Sequence, residues 1–173
     1  MVIGNSNLLE YMDKVILVGA SKSLLTSKLG KIIDSYDVVC RINTSGSPNI
    51  LIEYKENVGT KKDIWFLGTN VWHYARQNDN YKNIIITNKN FYNKWKPKIK
   101  ELELCEKSVV SLAQSKTNAT PTSGFLALFY VMSKYKDVTI CGFDGFKGGH
   151  FYGNKFLKQQ DVSDALAAKG RGA

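Results

Sequence analysis

The chain has 173 residues, 43% hydrophobic and 23% charged, a balance that excludes a disordered segment and allows one domain with its own core. No apolar run approaches the roughly 18 residues of a membrane span. The opening MVIGNSNLLEYMDK has no basic start followed by a long apolar stretch, so no secretory signal is expected. The formal net charge of +9 comes mostly from dispersed lysine, densest in KKD at 61–63 and KWKPKIK at 94–100. These read as a solvated turn and a solvated helix face, which ranks a small anionic ligand above nucleic acid as partner. Cys40, Cys105 and Cys141 are an odd number at no metal-ligand spacing. Cys40 and Cys141 sit in apolar runs, so a reducing compartment is expected.

In chain order, VILVG (15–19) is a continuous apolar run of the kind buried on both faces of a sheet. KSLLTSKLGKII (22–33) has near-helical apolar spacing, and YDVVCRI (36–42) reads as a second buried strand. DIWFLG (63–68), NIIIT (83–87), SVVSL (108–112) and DVTICG (137–142) complete the predicted strands. Helices are predicted at 70–77, 90–103 and 123–134, the last opened by Pro-Thr-Ser. Such alternation predicts an α/β fold: a single-domain, Rossmann-like, mainly parallel sheet with helices on both faces. Ligands of such sheets bind beyond the carboxyl ends of the strands. VGAS, RIN and GFDGFKGGHFY stand at such ends and carry the unusual residues.

VGASKSLL puts Gly19, Ala20 and Ser21 between a strand and a helix, where backbone N–H groups can seat a phosphate. It is neither a dinucleotide fingerprint nor a P-loop, and on its own it reads equally as a turn capped by Ser21. VIGNS (2–6) looks similar but lacks a following strand and helix. PTSGFLAL (121–128) is a second helix start, whose Thr122, Ser123 and Gly124 are either caps or donors to a phosphate or ribose. GFDGFKGGHFYG (142–153) is a glycine- and aromatic-rich loop whose ordering calls for a ligand. Its His150, followed by Phe151 and Tyr152, is the catalytic candidate, whereas His73 reads as structural. Asp137 and Asp144 are too isolated to pair, so no metal site is expected.

Taken together, these segments resemble the sialyltransferases of glycosyltransferase family 29. VILVGASKSLLTSKLGKIIDSYDVVCRINTS with ENVGTKKDIWFLGTN looks like that family's large motif. TPTSGFLALFYVMSKYKDVTICGFDGF looks like the small motif, and GGHFYG like the third, in family order across residues 14–153. The resemblance implies one domain over 1–173 of the GT-A variant type, with 160–173 a loose or shortened C-terminus. It also implies metal-independent, inverting transfer of sialic acid, or a related acidic sugar, from a CMP-sugar to a glycan hydroxyl. Asn43 would contact the cytidine monophosphate, and Thr122, Ser123 and Gly124 its ribose and phosphate. Gly142 would lie against the nucleotide, with Gly19, Ala20, Ser21 and Tyr152 completing the donor set. His150 would meet the departing phosphate, whose growing negative charge needs hydrogen-bond donors.

Ala20 stands where the family has Asn. The family's downstream His, a general base, has no counterpart after His150, where Asp161 and Asp164 are the only acids. A binding-only relative that holds CMP or a CMP-sugar is therefore the alternative. The family's animal disulfide is also missing, with Val15 and Tyr135 at those places, which suits a cytoplasmic microbial or viral protein.

Overall fold

VILV forms β1 (Val15–Val18), and all four of its side chains are buried. Alternate residues of a strand point to opposite faces, so β1 contributes to two cores. Val15 and Leu17 pack with Cys40, Ile42, Phe66, Val109, Ala127 and Tyr130. Ile16 and Val18 pack with Leu24, Ile33, Val39, Ile50, Leu51 and Val58 on the other side. Helices therefore cover both faces, as the sequence predicts. The structure is a computed structural model that describes residues 13–68, 83–86, 89–96, 102–117, 120–145 and 147–153.

After β1 come α1 (Gly30–Asp34), β2 (Val38–Ile42), α2 (Pro48–Glu53), α3 (Lys55–Val58) and β3 (Ile64–Leu67). Then follow β4 (Asn83–Ile86), α4 (Lys89–Trp95), β5 (Leu102–Leu104), α5 (Lys107–Thr117), α6 (Ser123–Lys134) and β6 (Val138–Cys141). The sheet order is β5-β4-β3-β2-β1-β6, and every neighbouring pair is parallel. The chain winds outward from β1 to β5 and then returns to lay β6 on the other side of β1. The winding reverses between β1 and β6, and the crevice at such a reversal is where open α/β sheets take ligands. No helix among the described residues is long and apolar enough to cross a membrane.

Several sequence expectations are corrected. SVVSL is not a strand but part of α5, where Val109 and Ala113 lie one turn apart and both enter the core beside α6. That packing overrides the strand preference of Val109 and Val110. One edge strand of the sheet is instead Leu102–Leu104, which overlaps the end of the stretch predicted as a helix over 90–103. The predicted helix over 22–33 is two pieces, a 3-10 turn at Lys22–Thr26 and α1, parted by Lys28 at φ +48°. The turn at Asn43–Gly46 and helices α2 and α3 were not foreseen. Residues 2–6, the helix at 70–77, His73, Asp161, Asp164 and the tail from 160 lie outside the described residues.

The KKD patch is not a solvated turn either. Lys61 Nζ donates to the carbonyls of Tyr36 and Asp37, and Asp63 accepts from the Val39 N–H at 2.9 Å. Asp34 accepts from the N–H groups of Thr60 and Lys61, both at 2.9 Å. Arg41, 1% exposed, donates from Nε and Nη2 to Lys61 O at 3.1 and 3.0 Å. Burial pulls the Arg41 guanidinium down to about 10, and Asp34 opposes the fall. Asp34, Arg41, Gly59 and Thr60, all from the first motif region, thus knot the loop before β3 to the sheet.

Candidate functional site

In a fully parallel sheet the carboxyl ends of all strands share one edge, so Gly19, Asn43, Gly68 and Gly142 meet there after β1, β2, β3 and β6. At the β1/β6 reversal the two backbones touch. The Gly19 N–H donates to Cys141 O at 2.8 Å and the Ser21 N–H to Gly142 O at 2.9 Å. A Cβ on Gly19 would stand 2.3 Å from Gly142 O, and Gly142 itself is left-handed at φ +71°. Only glycine allows this approach.

On the opposite wall, α6 begins beneath the opening. The Thr122 side chain caps it by accepting from the Phe125 N–H at 3.3 Å. Ser123 and Gly124 occupy the first turn, where a 12-residue helix presents N–H groups and the positive end of its dipole. By contrast, the turn after Gly19 is a five-residue 3-10 helix capped by Ser21, which accepts from the Ser23 N–H at 3.1 Å. The capping reading of Ser21 is the one the structure bears out, and the helix end of useful length is that of α6.

Asn43, directly after β2, has φ +48°, a conformation uncommon outside glycine. Its Oδ1 accepts from the Gly68 N–H at 2.7 Å, and its carbonyl accepts from Trp65 Nε1 at 2.8 Å. With Oδ1 so engaged, Nδ2 is the end of the amide left to donate.

The glycine-rich loop closes the third side. The Phe151 N–H donates to Ala20 O at 2.8 Å and the Lys22 N–H to Gly149 O at 3.2 Å, flanking an antiparallel bridge between Ser21 and His150. Phe151 and Tyr152 anchor the loop in the second core, with Phe151 edge-on to Tyr54 at 5.2 Å. The exposed imidazole of His150 stacks on Tyr152 at 5.1 Å and 18°.

These walls enclose a cavity of about 460 Å³, inside the ~300–1,000 Å³ range of small-molecule sites. Gly19, Ala20, Ser21, Asn43, Thr122, Ser123, Gly124, Gly142, His150 and Tyr152 all line it, so the structure brings together every site residue expected from sequence. It also adds Ile42, Phe125, Leu128 and Phe143 as apolar wall, and Asp144 as an acid. Sequence reasoning set Asp144 aside for want of a neighbouring partner. Its partner is Ser21, 123 residues away, whose Oγ donates to Oδ2 at 2.8 Å, and the Gly148 N–H donates to the same oxygen at 3.0 Å. The position of Asp144 three residues after the end of β6 was the available signal. Among the described residues no three His, Cys, Asp or Glu side chains come together as metal ligands.

A doubly wound parallel sheet with a cavity at its reversal point defines a Rossmann-like α/β ligand-binding domain. Within that class the sequence profile of glycosyltransferase family 29, the sialyltransferases, matches residues 5–90 of this chain. Two crystal structures of a mammalian sialyltransferase share the fold, each at TM-score 0.67 and 19% identity. One is in complex with Gal-beta-1-3GalNAc-ortho-nitrophenol and aligns over 90% of this chain and 66% of that one. The other aligns over 91% of this chain and 65% of that one. The chain thus spans just under two thirds of the length of these structures. No curated protein sequence matches it.

Proposed function

We propose that the cavity binds the CMP moiety of a CMP-sugar and that the chain transfers sialic acid, or a related acidic sugar, to a glycan hydroxyl. One observation carries this reading: the ten residues expected at a CMP-sugar site line a single cavity where the sheet winding reverses. Ser123, Gly124 and the α6 N–H groups supply donors for a phosphate, and Asn43 Nδ2 supplies another from the β2 side. CMP departs as a phosphate monoester, and its charge grows as the bond to the sugar breaks. His150, on the exposed rim, is assigned to meet that charge, which donors can stabilise without a metal. The reading places the protein in the cytoplasm, in keeping with three thiols held as free cysteines.

A second reading, binding of CMP or its sugar without efficient transfer, is favoured by Asp144. It is the only carboxylate lining the cavity among the described residues, and its Oδ2 is engaged by Ser21 and Gly148 rather than open to an acceptor hydroxyl. The test has two arms. CMP is expected to raise the thermal midpoint equally with and without EDTA; a shift that requires added Mg²⁺ or Mn²⁺ contradicts the metal-free site. CMP release from CMP-sialic acid is expected to accelerate when a β-galactoside is added. Equal release with and without every acceptor tried selects the binding-only reading.

A further inference from the structure

Lys62 has no part in the proposed function, yet its ammonium is held by two contacts in the fold. It is half-buried, its ammonium lies 3.7 Å from the centroid of the Trp65 ring, and it donates to Gly46 O at 2.7 Å. Trp65 is fully buried and spends its one polar hydrogen on the carbonyl of Asn43, at 2.8 Å. Between these contacts runs the Asn43–Gly46 turn, pressed so closely on Trp65 that a Cβ on Gly46 would lie 2.5 Å from Nε1. The turn begins with Asn43 at φ +48°, a conformation that persists only where surroundings impose it.

We propose that Lys62 and Trp65 form a relay that holds Asn43 in its left-handed conformation, making Lys62 a positioning residue for the cavity. The relay grips the turn at both ends: Lys62 holds its last carbonyl, and Trp65 holds its first. Lys62 also braces the indole from its face, where a cation is attracted to the ring's negative quadrupole. Asn43 then keeps its Oδ1 on the Gly68 N–H and its Nδ2 available to a ligand.

The brace depends on the ammonium charge. Burial, reinforced by Arg41, lowers Lys62 from its ordinary 10.5 to about 7. Arg41 on β2 is the charged group that weighs on it, and the Asn43–Gly46 turn carries none. Among its sequence neighbours, Lys61 and Asp63 pair with each other at 3.7 Å, and Asp63 also accepts from Val39 N–H. Below about pH 7 the relay is charged and tight; above it the amine can still donate to Gly46 O, but the attraction to the ring is lost.

The ligand part of the test rests on the CMP reading, so a ligand-free measurement accompanies it. In the unliganded protein, the Trp65 indole N–H resonance is expected to titrate with a midpoint near pH 7. In Lys62→Met it should not titrate, and its hydrogen exchange should be roughly two- to tenfold faster, the range a cation–π contact provides. With CMP, parent affinity should fall by a similar roughly two- to tenfold factor from pH 6 to 8.5 relative to Lys62→Arg at each pH, which cancels the phosphate's own titration. Lys62→Arg should bind like the parent at pH 6, and Lys62→Met weakly at both values. An indole resonance blind to both pH and Lys62→Met overturns the relay, as do three coincident CMP curves. If no variant and no parent binds CMP, the proposed function fails, while the indole titration still decides the relay.

Discussion

Asn43 and Ser123 face one another across the cavity mouth: a Cβ on Gly68 between them would lie 2.8 Å from Ser123 Oγ and 3.3 Å from Asn43 Oδ1. Neither side chain supports the hydrophobic core, so each can be tested without dismantling the sheet. Asn43→Ala and Ser123→Ala should each weaken CMP binding by about 0.5–1.5 kcal/mol, the net worth of one hydrogen bond, with far-UV circular dichroism unchanged. Calorimetric titration of the two variants beside the parent checks this; parent-like binding by both would move the site elsewhere. At this scale the sequence was informative wherever residue type implied a backbone need. Gly19, Gly142 and the Thr122 cap could be placed because strand ends and helix starts demand such residues. Asp144 and Lys62 could not, because what defines them is a partner brought close by the fold: Ser21 for one, Trp65 and Gly46 for the other.

Elements follow the same logic. β1, β2 and β3 are legible as apolar runs because a parallel strand covered on both sides has no polar face to interrupt it; NIII of β4 and VTIC of β6 carry the same apolar signal in the sequence. α6 is legible because its cap, first turn and apolar stripe agree, with Leu126, Ala127, Tyr130 and Val131 buried. α5 and β5 are not, since Val109 and Val110 favour strands locally while Leu102–Leu104 is too short to announce itself. The contact that ties elements into a site is the approach of the β1 and β6 ends. Gly142→Ala should lower stability by about 1–3 kcal/mol, combining a Cβ in the left-handed region with overpacking. That Cβ would stand 2.6 Å from Leu24 Cδ1. Urea denaturation measures the loss, and CMP affinity should fall with it because Gly142 and Gly19 line the cavity. Unchanged stability would mean that the two strand ends are not pressed together.

For the whole molecule, the buried ionisable groups set a stability profile with two opposing arms. Lys62 falls from 10.5 to about 7, so between those values the unfolded chain holds a proton that the folded chain does not. Stability rises with pH across that window. Burial raises Cys40 from 9.0 to about 12, and Cys105 and Cys141 to about 11. Above pH 9 the unfolded thiols ionise first, and stability is lost as pH climbs through the folded values. Urea midpoints under reducing conditions should therefore rise from pH 7 to about 9 and decline by pH 11, the first arm vanishing in Lys62→Met. A profile that falls steadily from pH 7 would mean that Lys62 is not buried as a cation. This profile runs against the relay, so the pH that favours folding is not the pH that tightens Asn43.

The register of β1 against β6 bears on the order in which the protein comes into being. Val15 pairs with Val138 and Val18 with Cys141, so β1 waits for a neighbour synthesised more than a hundred residues later. Every other neighbouring pair of the sheet can form from the chain up to Leu104. A nascent chain can thus carry five ordered strands and no cavity, since most of the wall, from Thr122 to Tyr152, has yet to emerge. Until then the edge of β1 away from β2 exposes unpaired N–H and C=O groups, the kind of edge that recruits a wrong strand. A ligand spanning Gly19 and Gly142 would act only on the finished molecule, holding shut the seam that closes last.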